Sequence, residues 1–236
     1  MKTPHPGTRD TRRFFSSFIL HPSSFILPNM PPSIERILIP GPAGSIETDI
    51  HEGGKPGAPR RGIALIAHPN PLQGGTKDNK VVTTLARTLA GLGYVAVRPN
   101  FRGIGNTEGV HDQGIGETDD LIAVAEYAMA RFETRTLLLA GFSFGSFVQT
   151  RVAKRIACER MVLVGPAVNR IRGDAAESVP ENTLIVHGEH DDVVPLAAVL
   201  DWARPQNLPV VVVPGGEHFF HGRLPLLAQI VTRWCA

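Results

Sequence analysis

Three side chains in this sequence could together break an acyl bond: Ser143, Asp191 and His218. Ser143 lies in Gly141-Phe142-Ser143-Phe144-Gly145, directly behind the apolar run Leu137-Leu138-Leu139-Ala140. A serine hydroxyl is a weak nucleophile until a base takes its proton. A G-x-S-x-G run between a strand and a helix gives that base access. The sharp turn lifts the serine out of the sheet, and the flanking glycines tolerate strained backbone and close neighbours. Asp191 follows Leu184-Ile185-Val186-His187, in the run Gly188-Glu189-His190-Asp191-Asp192-Val193-Val194-Pro195. His218 follows Val210–Val213, in Pro214-Gly215-Gly216-Glu217-His218-Phe219-Phe220-His221. Nucleophile, acid and base thus come in that order, each just past its own apolar run. His218 would take the Ser143 proton and later pass it to a leaving group. An aspartate would hold the imidazole tautomer and stabilise the imidazolium. Asp191 and Asp192 are equivalent on chemistry alone, but adjacent residues point different ways, so one of them faces His218. His221 reads as a neighbour of the base.

The negative charge that develops during acyl transfer needs two N–H donors. One is expected from Phe144, the residue after the nucleophile, at a helix start. The other is expected from His68-Pro69-Asn70-Pro71, the loop after Ile63–Ala67. Prolines carry no N–H, which leaves Asn70 as the donor between them.

The elements that must position these groups follow from periodicity and punctuation. Ile34–Ile39 and Ser45–His51 read as strands joined at Pro40-Gly41-Pro42-Ala43-Gly44 in a hairpin. Ile63–Ala67, Tyr94–Val97, Thr136–Ala140, Met161–Val164, Leu184–His187 and Val210–Val213 are further strands. Helices are expected over Asn79–Leu92, Glu117–Phe132, Phe144–Ala157, Leu196–Ala203 and Leu224–Trp234, with Asp78 or Asn79 capping the first. Glu117, Asp119 and Asp120 fall in the first turn of the second helix, where the dipole favours acids. Two opening strands followed by β–α alternation predict an α/β fold: a mostly parallel sheet with an antiparallel N-terminal hairpin and helices on both faces. In such sheets the working groups collect at the carboxyl ends of the strands, where Ser143, Asp191, His218 and Asn70 all fall.

Other chemistries are disfavoured by the residues present. Lys and Arg total 24 against 22 Asp and Glu, and they are scattered, which gives no nucleic-acid stripe. Gly103-Ile104-Gly105 opens like a dinucleotide fingerprint but has Glu108 where the third glycine belongs. That loop is expected to brace the serine turn. Gly74-Gly75-Thr76-Lys77 lacks the spacing of a phosphate loop. His187-Gly188-Glu189-His190 has no downstream C-x-x-C, so neither a metal nor any other cofactor is expected. Cys158 and Cys235 make no disulfide framework and suit a cytoplasmic protein. No apolar run is long enough for a membrane span. Residues 1–30 carry a direct repeat, Ser16-Ser17-Phe18-Ile19-Leu20 and Ser23-Ser24-Phe25-Ile26-Leu27, with neither helical nor strand periodicity. They read as a low-complexity, disordered extension rather than a targeting segment, which leaves 31–236 as one domain.

These residues resemble the α/β-hydrolase superfamily, and within it the small bacterial single-domain hydrolases near dienelactone hydrolases and prolyl-oligopeptidase-type esterases. The resemblance spans about residues 34–236 and rests on His68-Pro69-Asn70-Pro71 with Gly74-Gly75-Thr76, Asn100-Phe101-Arg102-Gly103-Ile104-Gly105, Gly141–Gly145, His187–Pro195 and His218-Phe219-Phe220. It implies that the acid is Asp191 and the base His218. Where the family more often has His-Gly ahead of the second donor, this chain has His68-Pro69. Relatives often insert a helical lid ahead of the acid loop, and Gly165–Asn182 is too short for one. The resemblance therefore implies an open site suited to small or extended acyl substrates. Phe142, Phe144, Phe219 and Phe220 are expected either to wall that site or to pack in the core. The expected activity is hydrolysis of a small-molecule carboxylic ester or thioester. Amide cleavage, acyl transfer and a noncatalytic binding role on the same scaffold are the alternatives.

Overall fold

Strands β1 (Ile34–Gly41) and β2 (Gly44–Glu52) pair antiparallel from Ile34↔His51 to Gly41↔Gly44, closing on Pro42 and Ala43. The computed structural model describes Met1 and residues 34–54, 58–168 and 175–236. The repeat and the expected break at residue 30 lie outside the described residues. After the hairpin come β3 (Gly62–Ala67), α1 (Lys80–Gly91), β4 (Tyr94–Pro99), α2 (Ile115–Arg131) and β5 (Leu137–Phe142). The chain then runs through α3 (Phe144–Ala153), β6 (Arg160–Val164), β7 (Thr183–Gly188), α4 (Leu196–Ala203), β8 (Val210–Val213) and α5 (Leu224–Cys235). The strands form one sheet in the order β1-β2-β4-β3-β5-β6-β7-β8. From β4 to β8 every pairing is parallel, and β2 alone runs against its neighbours. This is the expected architecture.

Because β3 to β7 are covered on both faces, their side chains are apolar in both directions. Ile63, Leu65, Leu137 and Leu139 face a core closed by α2, α3 and α4. Ala64, Ile66, Leu138, Ala140 and Phe142 face the opposite core, closed by α1 and α5. Asn79 caps α1, its side chain accepting from the Val81 N–H at 2.9 Å.

Strand and helix ends shift by a residue or two from expectation, and two helix boundaries move by two residues or more. Helix α2 starts at Ile115, because the Glu117 carboxylate reaches back to the Gly114 N–H at 2.8 Å and closes the helix start there. Asp119 and Asp120 therefore fall beyond the first turn. Asp120 instead receives the Arg102 guanidinium at 2.7 and 2.8 Å, which ties the glycine loop after β4 to α2. Helix α3 ends at Ala153 rather than Ala157, in a tighter turn where the Arg155 N–H meets the Val152 carbonyl. Between β6 and β7 the described residues contain no helix.

The turn from β5 into α3 depends on two missing side chains. A Cβ on Gly141 would lie 2.6 Å from the Ser146 nitrogen, and one on Gly145 would lie 2.4 Å from the Ala67 carbonyl oxygen. Both contacts are with backbone, which cannot swing aside. Gly91, the last residue of α1, has open space around the same position. Gly145→Ala should therefore cost about 3 kcal/mol or more, whereas Gly91→Ala should gain about 0.5–1 kcal/mol. Urea unfolding of the two variants checks the contrast.

Candidate active site

Ser143 sits between β5 and α3 with φ +54° and ψ −119°. A non-glycine residue in such a region stores on the order of 1–3 kcal/mol, and the surroundings hold it there. The Ser143 N–H donates to the Val164 carbonyl at 2.9 Å. The Ser143 carbonyl accepts from the N–H groups of Ser146, Phe147 and Ala167 at 3.0–3.3 Å.

The Ser143 hydroxyl lies 3.0 Å from His218 Nε2, and His218 Nδ1 lies 2.7 Å from Asp191 Oδ2. All three residues are buried, at 7, 2 and 7% exposure. The second Asp191 oxygen accepts from the Val193 and Val194 N–H groups at 3.0 and 2.8 Å. Burial works against a charge on Asp191, but the hydrogen bonds from His218 and Val194 outweigh it and hold the carboxyl below its ordinary value. An ionised Asp191 can only accept, so the His218 proton sits on Nδ1 and Nε2 is left to receive the serine proton. Asp192 is exposed on the outside of the same loop. His221 is also exposed, and its ring bonds Glu217 rather than joining the chain.

Asn70 opens a 3-10 turn, Pro71–Gln73. Its side chain accepts from the Leu72 N–H, and its carbonyl from those of Gln73 and Gly75. Its own N–H, like that of Phe144, has no acceptor among the described residues. The loop is pinned from beneath by His68. The Phe101 N–H donates to His68 Nε2 at 2.9 Å, which puts the ring proton on Nδ1, and Nδ1 donates to the Pro69 carbonyl at 2.7 Å.

The sequence family described as serine aminopeptidase, S33 matches residues 61–181, and so spans the nucleophile turn and Asn70. The chain is a member of that α/β-hydrolase family. It is similar to the uncharacterized protein RP471 of Rickettsia prowazekii, 32% identical over 78% of this chain and 82% of that one. Among solved structures it is similar to XC6422 of Xanthomonas campestris, described as an α/β serine hydrolase without lid. Identity there is 36% and the TM-score 0.80, covering 88% of this chain and 95% of that one. An α/β serine hydrolase homologue from Coxiella burnetii matches at 39% identity and TM-score 0.78, covering 86% and 97%.

In this α/β-hydrolase, a cavity of about 380 Å³ opens on Ser143 and His218. Pro69, Asn70, Gly74, Gly75, Val193 and Phe219 supply much of its wall. The four phenylalanines divide between the two alternatives, wall and core. Phe219 does line the cavity, at 42% exposure. Phe220 points away from it and is wholly buried against α5. Phe142 is the last residue of β5 on the α1 and α5 face, and its ring stacks beneath His218 at 4.9 Å. Phe144 packs between Phe101 and Phe147. Sequence reasoning missed Val193, whose apolar side chain is 48% exposed on the acid loop. It also missed His68, whose one available signal was a histidine flanked by strand and proline. His187 and His190 do not converge on a common point. His187 is buried and donates to the Val194 carbonyl at 2.9 Å, while His190 is exposed.

Burial lowers the His68 pKa from 6.5 to about 4. Between those values the unfolded chain binds a proton that the folded protein refuses, so stability falls as pH is lowered from 6.5 to 4. The loss traceable to His68 should be roughly 3 kcal/mol. Burial shifts His51 and His187 in the same direction. Unfolding measured across that window should show His68→Gln losing correspondingly less stability than the unsubstituted protein. Identical pH slopes would remove His68 from this role.

Proposed function

We propose that this α/β-hydrolase is a serine esterase that cleaves a carboxylic ester or thioester through an acyl-enzyme. The observation that carries this reading is the unbroken chain from Ser143 Oγ through the His218 imidazole to Asp191, at 3.0 and 2.7 Å, at the mouth of a cavity. Ser143 attacks the acyl carbon while His218 Nε2 takes its proton. The carbonyl oxygen becomes negative facing the N–H groups of Phe144 and Asn70. The tetrahedral intermediate collapses as His218 returns the proton to the leaving oxygen or sulfur. Water, deprotonated by the same nitrogen, then attacks the acyl-enzyme and releases the acid.

The family's description raises aminopeptidase action as a second reading. Such an enzyme must hold a protonated amine beside the scissile bond, and a carboxylate is the natural partner for it. Among the described residues, no acidic side chain lines the cavity that opens on Ser143. Apart from Ser143 and His218, the lining is amide, glycine and apolar side chains, which suits an uncharged ester.

Ser143→Ala should abolish labelling by a fluorophosphonate probe and lower turnover of a reactive ester by about 10⁶. Labelling that survives the substitution would sink the proposal.

The Asn70 donor can be tested separately because its φ is −53°, an angle proline also adopts. Asn70→Pro removes the N–H and should lower kcat by about 10²–10³. Asn70→Ala keeps the N–H and loses the turn's cap, so it should cost stability with a much smaller change in kcat. Equal effects of the two on kcat would exclude the backbone donor.

A further inference from the structure

A second cavity, of about 320 Å³, adjoins the first. Gly74, Asn79 and Phe219 line both, so the two spaces adjoin across these residues. The far end is walled by Thr76, Asp78, Lys80 and Val81 around the start of α1, and by His221 and Leu224 at the approach to α5. None of these residues belongs to the relay of Ser143, His218 and Asp191.

We propose that the second cavity is the leaving-group subsite, and that the protein's ester carries a bulky alcohol with an apolar body and oxygen acceptors. This rests on the serine esterase reading. Two directions at the reacting carbon are fixed by chemistry. The carbonyl oxygen faces Asn70, which lines the first cavity alone. The leaving oxygen must lie where His218 Nε2 can protonate it. The chain that continues from His218 supplies Phe219 and His221 to the second cavity. The alcohol half therefore leads past Phe219 into that space. The acyl half stays where Pro69, Gln73 and Val193 form the wall.

The character of the alcohol follows from what the subsite leaves uncommitted. Val81, Leu224 and Phe219 offer an apolar surface. The Asp78 carboxylate is engaged by Lys77 at 3.4 Å and Arg98 at 3.6 Å, and the His221 ring by Glu217. The Lys80 ammonium has no acidic partner among the described residues. The Asn79 amide oxygen is held by the Val81 N–H, which leaves its N–H₂ to donate. Donors above an apolar floor select a ring or chain bearing hydroxyl, ether or carbonyl oxygens over methanol or ethanol.

The test uses two ester series read by pH-stat on the full chain: acetates of methyl, benzyl and glyceryl alcohols, and methyl esters of lengthening acids. The unsubstituted protein should prefer benzyl and glyceryl acetate to methyl acetate by about tenfold or more in kcat/KM. Leu224→Trp, which fills the subsite, should erase that preference and leave the ratios along the acid series unchanged. Lys80→Met, at an exposed position, should lower glyceryl acetate relative to benzyl acetate, and it serves where the tryptophan variant fails to fold. A flat alcohol series, or a Leu224→Trp effect confined to the acid series, overturns the assignment. Stoichiometric fluorophosphonate labelling separates the two hypotheses. A labelled protein with a flat alcohol series loses only the subsite, and an unlabelled protein loses the esterase reading as well.

Discussion

The site depends on how closely α3 can approach the end of the sheet. Residues 141 and 145 carry no side chain, so the first turn of α3 rests on β5 and on the Ala67–His68 backbone at the end of β3. That contact forces Ser143 into its positive-φ conformation, and the Val164 carbonyl of β6 locks it. One approach thereby sets the position of the serine against three strands at once. Asn70 leaves from one of them, and the β6 end meets the loop that holds the imidazole, since a Cβ on Gly165 would lie 3.4 Å from the His218 ring. Groups far apart in the chain converge because they share this reference point. Strain at one residue is sustained by backbone contacts that have no alternative arrangement.

The wall opposite His218 is held by charge instead. Lys77 is 1% exposed and its ammonium lies 3.1 Å from Asp49 and 3.3 Å from Glu47, both on β2. Its own N–H donates to the Asn100 side chain at 2.9 Å, and its carbonyl accepts from Arg98 at 2.7 Å. Burial opposes charge on Asp49 and Glu47, yet their cationic and N–H partners prevail and keep both carboxyls ionised. A buried pair of this kind is weak evidence for net stability, but removing one member strands the other. Its consequence here is positional. It fastens the 74–79 segment, which walls both cavities, to the one strand that runs against the rest of the sheet. The N-terminal hairpin contributes no residue to either cavity, and yet it supports one wall of both.

Much of this was legible in the sequence because the determinants are local. Apolar runs ending in glycine or proline marked each strand end, and Ser143, Asp191 and His218 each follow one. Asn70, picked out between Pro69 and Pro71, lies on the wall of the cavity that opens on Ser143. What was not legible depends on which way neighbouring side chains point. Phe219 and Phe220 are identical in type and adjacent, and only the turn after β8 decides that one faces the cavities and the other the core. Asp120 reads as a helix-start acid until Arg102 arrives from a loop elsewhere in the chain. Lys77 gives no sign of burial, because nothing near it in the sequence names Glu47 and Asp49 as its partners.

The histidines show why position after a strand is weaker evidence than partnership. His68, His187 and His218 all lie at strand ends and all are buried. His68 spends both nitrogens on backbone, donating to Pro69 and accepting from Phe101. His187 donates to a backbone carbonyl, and its other nitrogen finds no partner among the described residues. A ring held in this way is fixed in one protonation state, and burial lowers the pKa of both. His218 differs in having a carboxylate on one nitrogen and a hydroxyl on the other. The Asp191 carboxylate also lies 3.6 Å from His187 Nε2, but of the three rings His218 alone is hydrogen-bonded both to a carboxylate and to a hydroxyl that can give up a proton. That pairing of an anion behind with an acidic hydrogen in front, rather than burial or loop position, is what makes an imidazole able to work as a base.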